Sequence, residues 1–510
     1  MTYNSLICSM QEIQQQLMPI LQGEFLVSEE VAEDMYRSDL EPHLLQLRPT
    51  IYFLIEYPYV DRIYRDSYYH YFSTKLGNYK KDCIRLSIFE GEIFPQDFRE
   101  NEKIKQVAER YLGFMVLRPT VPAILGRNII SPHALRVKDF LSVGSSFQTT
   151  VNAIKFQANG FPHSSQDRET ITCAETALWA IMEYFASKYS DYKPALPSTI
   201  VDALKYMSVE RQVPSKGLFV NQLAFAIKKF GFGSRIYARE EYGDNIFKSM
   251  ISTYVESGLP LICALDNTNS GGTIAHAILA IGHQVTSDHL IDTLVPTDEK
   301  DDYLANMLKS KNIKLYDNDD IKRAFVFMDD NCPAYQLASL DAPTLHYPDF
   351  EWQTCELTHF IVPLYPKIYL EAYEAKSYAK DLLLNDLYFD LPKDTEYFIR
   401  LLLTSSRSYK DVIARDMTFP DSLKCEILET AMPKFIWVAE ISNKELVKKR
   451  QAQGLLLLDA TEPNLQGFNA LILMAHQNLY LYPDNDTKEL IENNLPLKTF
   501  SMYLNNLNGF

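Results

Sequence analysis

The amino-acid sequence predicts an α+β protein, and three observations carry that reading. Of 510 residues, 46% are hydrophobic and 23% charged, the balance of globular chains with substantial cores. Helix-period and strand-period segments are interleaved along the whole chain, which is the pattern of mixed rather than all-α or all-β architecture. The middle third joins an apolar helix opening on Cys173 to an apolar strand opening on His276.

The length allows two to four domains of roughly 100–200 residues, and three regions separate. Residues 1–150 form an N-terminal α/β region. It begins with an expected helix from Leu6 to Leu21, followed by strand-like runs at Thr50–Val60, Cys83–Phe89 and Tyr111–Arg118, the last ended by Pro119. The Tyr- and Phe-rich stretch over 51–72 reads as a packed aromatic core. Residues 151–340 carry the chemistry. Residues 341–510 form a C-terminal α/β region. It opens on a strand at Phe360–Pro366, continues with a helix from Lys367 to Leu384, and then has strands near Lys434–Ile441, Gly454–Ala460 and Asn469–Ala475.

The net charge is −16, from 66 acidic and 50 basic residues. That balance disfavours nucleic acid and anionic membrane surfaces as partners. No apolar run reaches 18 residues and the amino terminus lacks a secretion signal, so a cytoplasmic location is expected. The seven cysteines are scattered, odd in number and without a C-x-x-C pair, so neither a disulfide framework nor a zinc site is indicated. No P-loop, G-x-G-x-x-G or H-E-x-x-H pattern is present. Arg118 and Arg127 read as surface arginines, and His476 and the Asp484-Asn485-Asp486 cluster as loop features.

Three segments carry chemical information. In Thr170-Ile-Thr-Cys173-Ala-Glu-Thr-Ala-Leu-Trp-Ala-Ile-Met-Glu-Tyr-Phe, the apolar residues Ala177, Leu178, Ile181, Met182 and Phe185 recur at helical spacing. Thr172 is the expected N-cap, with Glu175 completing a capping box. Cys173 then sits in the first turn of a buried helix, where the positive end of the dipole favours a thiolate nucleophile. In Gly271-Gly-Thr-Ile-Ala-His276-Ala-Ile-Leu-Ala-Ile-Gly-His283, a strand is entered through two glycines. The two histidines are seven residues apart, which in a regular strand points them to opposite faces, so His283 is expected to face away from the site. In Ala324-Phe-Val-Phe-Met-Asp329-Asp330-Asn331, a short apolar strand ends in two carboxylates and an amide. A carboxylate there can accept the second N–H of a histidine and fix its tautomer.

The order Cys, His, Asp, with separations of 103 and 53 positions (173 to 276, 276 to 329), resembles the papain-like cysteine peptidases. The likeness is nearest the bacterial branch that processes double-glycine leader peptides. Gly258-Leu-Pro-Leu-Ile-Cys resembles that family's strand before the histidine, and His276-Ala-Ile-Leu-Ala-Ile-Gly282 its histidine strand. Met328-Asp329-Asp330 falls where the family has Asn-Asp-Pro, and Gln166 precedes Cys173. Gln166 lies seven residues before Cys173 where the family spacing is six, and Ala174 replaces the family's glycine. The likeness covers residues 160–335.

The resemblance implies a papain-like domain at 151–340, with its helix packed on an antiparallel sheet formed by 260–335. It implies Cys173 as nucleophile, His276 as base and Asp329 as the acid that orients it, with Asp330 and Asn331 as alternatives. The backbone N–H of Cys173 and the Gln166 amide would form the oxyanion hole. The expected substrate is a peptide or protein, and the expected activity is that of a cysteine peptidase or amidase with no cofactor and no metal. A thiol acyltransferase or deamidase using the same triad, and a non-catalytic interaction module on the same fold, remain open alternatives.

Overall fold

The computed structural model describes residues 3–509 apart from 78, 122, 209–211, 298, 300–301, 386–387, 390, 485–486 and 488. The fold is mixed α+β with predominantly antiparallel sheets. Asn485 and Asp486 of the acidic cluster lie outside the described residues. Among those described, no helix is long and apolar enough to cross a membrane.

The N-terminal sheet runs in the order Asn4–Ser9, Ile51–Tyr59, Cys83–Glu90, Tyr111–Leu117, Leu125–Ile130, Ile154–His163, Ser145–Val151. The expected helix at Leu6–Leu21 is instead this first strand followed by a helix at Ile13–Phe25. Leu6 and Cys8 pair with Ile55 and Phe53. The Glu12 carboxylate then accepts the backbone N–H and hydroxyl of Ser9, which turns the chain into the helix. The central strands read as unbroken apolar runs because both faces are covered: Ile84, Leu86 and Ile88 join one core, Phe89, Phe114 and Val116 another. Tyr64 and Phe72 lie in the second of these, as the aromatic composition of 51–72 suggests.

The central sheet has the order Gln336–Ala338, Phe325–Met328, Ala275–Gln284, Leu261–Asp266, Glu356–Leu364, Gly233–Ala238. The helix Cys173–Lys188 covers one face, where Ala177, Leu178, Ile181 and Met182 share a core with Ala277, Leu279, Ile281 and Met328. Strands are exchanged across the divisions read at 150 and 340. Ile154–His163 belongs to the N-terminal sheet, and Glu356–Leu364 is interior to the central one. Lys314–Asp317 runs parallel to Glu396–Ser405 in the C-terminal sheet. Within 260–335, the stretch 285–324 contributes helices and that exchanged strand, not central-sheet strands.

The strand Ala275–Gln284 departs from strict alternation. Its pairing with Phe325–Met328 slips by one residue between Ala280 and Gly282, so Ile281 is an extra residue on that strand. Ala280 pairs with Phe327 and His283 with Phe325, and both phenylalanines belong to the core on the face away from the Cys173 helix. His283 lies apart from Cys173, bonded to Glu256, but not on the opposite face that its odd spacing from His276 predicts. The slip cancels the parity, and what separates the histidines is the strand's length, roughly 3.3 Å per residue. Gly282 is required at the slip, since a Cβ there would lie 2.0 Å from the Leu141 carbonyl oxygen.

The C-terminal sheet runs Lys314–Asp317, Glu396–Ser405, Phe435–Ser442, Gly454–Asp459, Leu471–His476, Leu479–Pro483, Leu490–Asn494. His476 is a buried strand residue rather than part of a loop. Arg118 and Arg127 are not at the surface either. Arg118 is buried and donates to Thr120, Ala123 and Ser165, while Arg127 pairs with Glu183 of the Cys173 helix.

The central and C-terminal sheets are tied by Glu256. This buried carboxylate meets Arg400 at 2.7 Å, Arg323 at 3.0 Å and His283 Nε2 at 3.0 Å. Burial opposes its charge, but Arg400, His283 and Arg323 outweigh that and hold it well below the usual carboxylate range. Removing one partner from such a group strands the others. E256Q, which keeps the shape, is expected to lower unfolding stability by about 3–5 kcal/mol, read as a shift in the urea midpoint.

Candidate active site

Each candidate reacting group stands at the end of a secondary-structure element, where local sequence fixes it. Cys173 is the first residue of its helix, and the extended Thr172 precedes it as N-cap. The buried Glu175 carboxylate accepts the Thr172 backbone N–H at 3.2 Å and the Thr172 hydroxyl. Its other oxygen accepts the Ser215 hydroxyl at 2.5 Å. The expected capping box is therefore present, and Glu175 also ties the segment near 215 to the start of the helix.

His276 is the second residue of its strand and is buried. Its Nε2 lies 2.8 Å from Asp329 Oδ1 and 3.6 Å from Asp330 Oδ1. The Cys173 side chain is near enough to the ring to act on it. With Nε2 turned to Asp329, Nδ1 is the nitrogen left for sulfur. Burial disfavours the imidazolium, but the charge and hydrogen bond of Asp329, the Cys173 contact and Asp330 overcome it. The His276 pKa therefore stands well above its ordinary value.

Asp329 is fully buried. Besides His276, its carboxylate accepts the Asn331 backbone N–H at 3.0 Å and the Tyr347 hydroxyl at 2.7 Å. Burial acts to raise its pKa, yet His276, the nearby His346 and the Asn331 N–H hold it well below the usual range. Asp330 lies beside the same ring, beyond hydrogen-bond range of its Nε2. With Cys173, Thr176, Ala177, Leu279 and His163 it lines a cavity of about 10 Å3, measured as space open to a water centre, room for roughly one water. Neither Asp330 oxygen has a hydrogen-bond partner among the described residues. Burial pushes its pKa up to about 7, the Asp329 charge adding to the effect and the His276 charge opposing it. Of the three residues weighed as the acid, Asp329 bonds His276, Asp330 faces the cavity, and Asn331 supplies a backbone N–H to Asp329.

Gln166 is brought to the same turn, where its side-chain N–H donates to Asn331 Oδ1 at 2.8 Å. That leaves one amide hydrogen of Gln166 outside this bond.

Several residues at this site were not singled out from the sequence. His163 ends a strand of the N-terminal sheet; its Nε2 meets the Asp329 carbonyl oxygen at 2.9 Å and its Nδ1 meets Asn128 at 3.0 Å. Burial lowers its pKa, opposed by that carbonyl. Trp352 stands edge-on to His276, ring centres 5.2 Å apart, and Tyr347 stacks on Trp352 at 4.4 Å. The one available signal was composition: three tryptophans in 510 residues, one of them in a polar stretch where no core accounted for it.

The cysteines also differ in chemistry. Cys8, Cys83, Cys263, Cys332 and Cys355 are buried, and burial raises each thiol's pKa, to about 12 for Cys8 and Cys263 and about 11 for Cys355. Cys173 is half-buried and Cys425 exposed.

The arrangement distinguishes the two carboxylates experimentally. D329N removes the charge bonded to His276 and is expected to slow iodoacetamide alkylation of Cys173 by about tenfold or more. D330N, at a carboxyl that makes no hydrogen bond to His276, should change that rate little. Peptide mapping of alkylation time courses checks both; the reverse ranking would assign the orienting role to Asp330. Neither the family models nor the curated proteins searched give a match to this chain, so the functional argument rests on its own residues.

Proposed function

We propose that this protein is a cysteine-dependent hydrolase, a peptidase or amidase acting on a peptide-like carbonyl. The observation that carries this reading is the chain of contacts from the Cys173 thiol to the His276 ring and from His276 Nε2 to Asp329 Oδ1 at 2.8 Å. That order supports the roles of nucleophile, base and orienting group.

In the proposed reaction His276 Nδ1 accepts the Cys173 proton. The sulfur forms a bond to the substrate carbonyl carbon, and the carbonyl electron pair moves onto oxygen. The backbone N–H of Cys173 and the Gln166 amide would receive that oxyanion, each such donor being worth about 2.7–4 kcal/mol. Collapse of the intermediate breaks the carbon–nitrogen bond as His276 returns the proton to the leaving amine. Water then adds to the thioester, its proton passing to His276, and the acid departs with Cys173 again a thiol. Asp329 keeps the ring oriented and balances its charge throughout. The edge-on Trp352 covers the His276–Asp329 side from water.

The test is selective labelling followed by hydrolysis. Iodoacetamide below one equivalent is expected to modify Cys173 ahead of Cys425, the exposed thiol, and H276A should slow this by about a hundredfold, the lower range for a positioned base. Turnover of a fluorogenic peptide-amide library should disappear in C173A. Labelling of Cys173 no faster than Cys425 would remove the reading. Fast labelling with no turnover of any amide or ester would favour the non-catalytic alternative.

A further inference from the structure

On the far side of Asp329 from His276 lies a second cluster, formed by Asp329, Cys332 and His346. One ligand atom of each lies within 4.8 Å of the others. Asp329 is fully buried and Cys332 nearly so, and the His346 side chain is only 14% exposed. His346 Nε2 is 3.8 Å from Asp329 Oδ2, beyond hydrogen-bond range. Neither of its ring nitrogens has a hydrogen-bond partner among the described residues. An imidazole whose two nitrogens are shielded from solvent and unmatched is costly unless something supplies a partner.

We propose that Asp329 Oδ2, Cys332 Sγ and a His346 ring nitrogen form a binding site for one divalent cation of the zinc class, and that its occupation restrains the thiol site beside it. The donor set argues for the class of ion. Thiolate, imidazole and carboxylate together suit zinc, whereas calcium and magnesium take oxygen donors. Tetrahedral zinc needs its donors about 3.5 Å apart, a closure within reach of side-chain rotation from the present spacing. Three protein donors leave a fourth position for water. On binding, Cys332 gives up its proton to solvent and becomes a thiolate ligand. The neighbouring group of His276, Asp329 and Asp330 also has ligand spacing, but there His276 is already engaged by Asp329 and Cys173.

The functional half of the proposal rests on the hydrolase reading. Asp329 would serve two positive partners through its two oxygens: His276 on Oδ1 and the cation on Oδ2, which also accepts the Tyr347 hydroxyl at 2.7 Å. The cation's ligands span the turn at 329–332 and the segment of 342–353 that carries Trp352, so the ion would pin the cover of His276.

Binding is measured without reference to catalysis. Chelator-stripped full-length C173S is titrated with Zn2+ against a chromophoric chelator, and one equivalent is expected to bind. C332S and H346N, each in the C173S background, should weaken that binding by more than the roughly 10–100-fold that loss of an outer-sphere partner costs. D330N should leave it in place. Thermal unfolding in chelator establishes that both ligand variants are folded. No stoichiometric binding, or binding lost in D330N but kept in C332S, overturns the proposal. In the wild-type protein, saturating Zn2+ should slow Cys173 alkylation and EDTA should restore it, with C332S insensitive. Zinc binding with unchanged alkylation would retain the site and remove the restraint. Failure of peptide turnover would bear on the hydrolase reading alone and leave the binding result standing.

Discussion

A carboxylate buried without solvent has to be matched by partners, and at Asp329 that requirement organises the site. Its side chain takes His276 from one strand of the central sheet, the Asn331 N–H from its own turn and the Tyr347 hydroxyl from the segment beyond 340. Its carbonyl takes His163 from the N-terminal sheet. Four separate parts of the chain are thus brought to one residue by the cost of leaving it unpaired. The His276 ring is oriented by this arrangement, and the Cys173 thiol meets a base whose proton affinity Asp329 has raised.

The helix side is fixed by the same logic on a smaller scale. Glu175 is buried because it caps the helix that it belongs to and simultaneously receives Ser215. Glu183, eight residues later on that helix, is buried against Arg62 and Arg127 of the N-terminal region. Cys173 therefore sits on a helix anchored at both its start and its middle, while His276 sits on a strand held by its neighbours on both sides. Two rigid elements meeting at their ends place the reacting atoms better than two loops would.

What could be read from the sequence was what local pattern encodes. The Cys173 helix, its cap and the strands at His276 and Met328 follow from periodicity and turn chemistry, and the choice of Asp329 over Asp330 came from a family likeness. The parts that could not be read depend on distant pairing. The first strand resembled a helix because Leu6 and Cys8 acquire their partners only from Ile55 and Phe53. The slip at Ile281 left no local mark except Gly282, whose lack of a side chain makes sense only beside Leu141. Arg118, Arg127 and His476 read as exterior residues because a single sequence does not show which buried groups will accept them. Tyr347 and Trp352 stood past the boundary drawn at 340, yet they belong to the site.

That boundary has a practical side. Glu356–Leu364 lies between Leu261–Asp266 and Gly233–Ala238 in the central sheet, so it is an interior strand supplied from outside the segment that bears Cys173, His276 and Asp329. A fragment cut at 340 would keep all three reacting residues and lose both the wall behind them and the strand between two of their supports. Leu261–Asp266 would be left with an open hydrogen-bonding edge, and Gly233–Ala238 with no neighbour at all. Such exposed edges pair readily with other chains, so the fragment would tend towards self-association. The cooperative unit here is therefore spread along the polypeptide, and a newly made chain can close its central sheet only after the region past 364 has emerged to complete it.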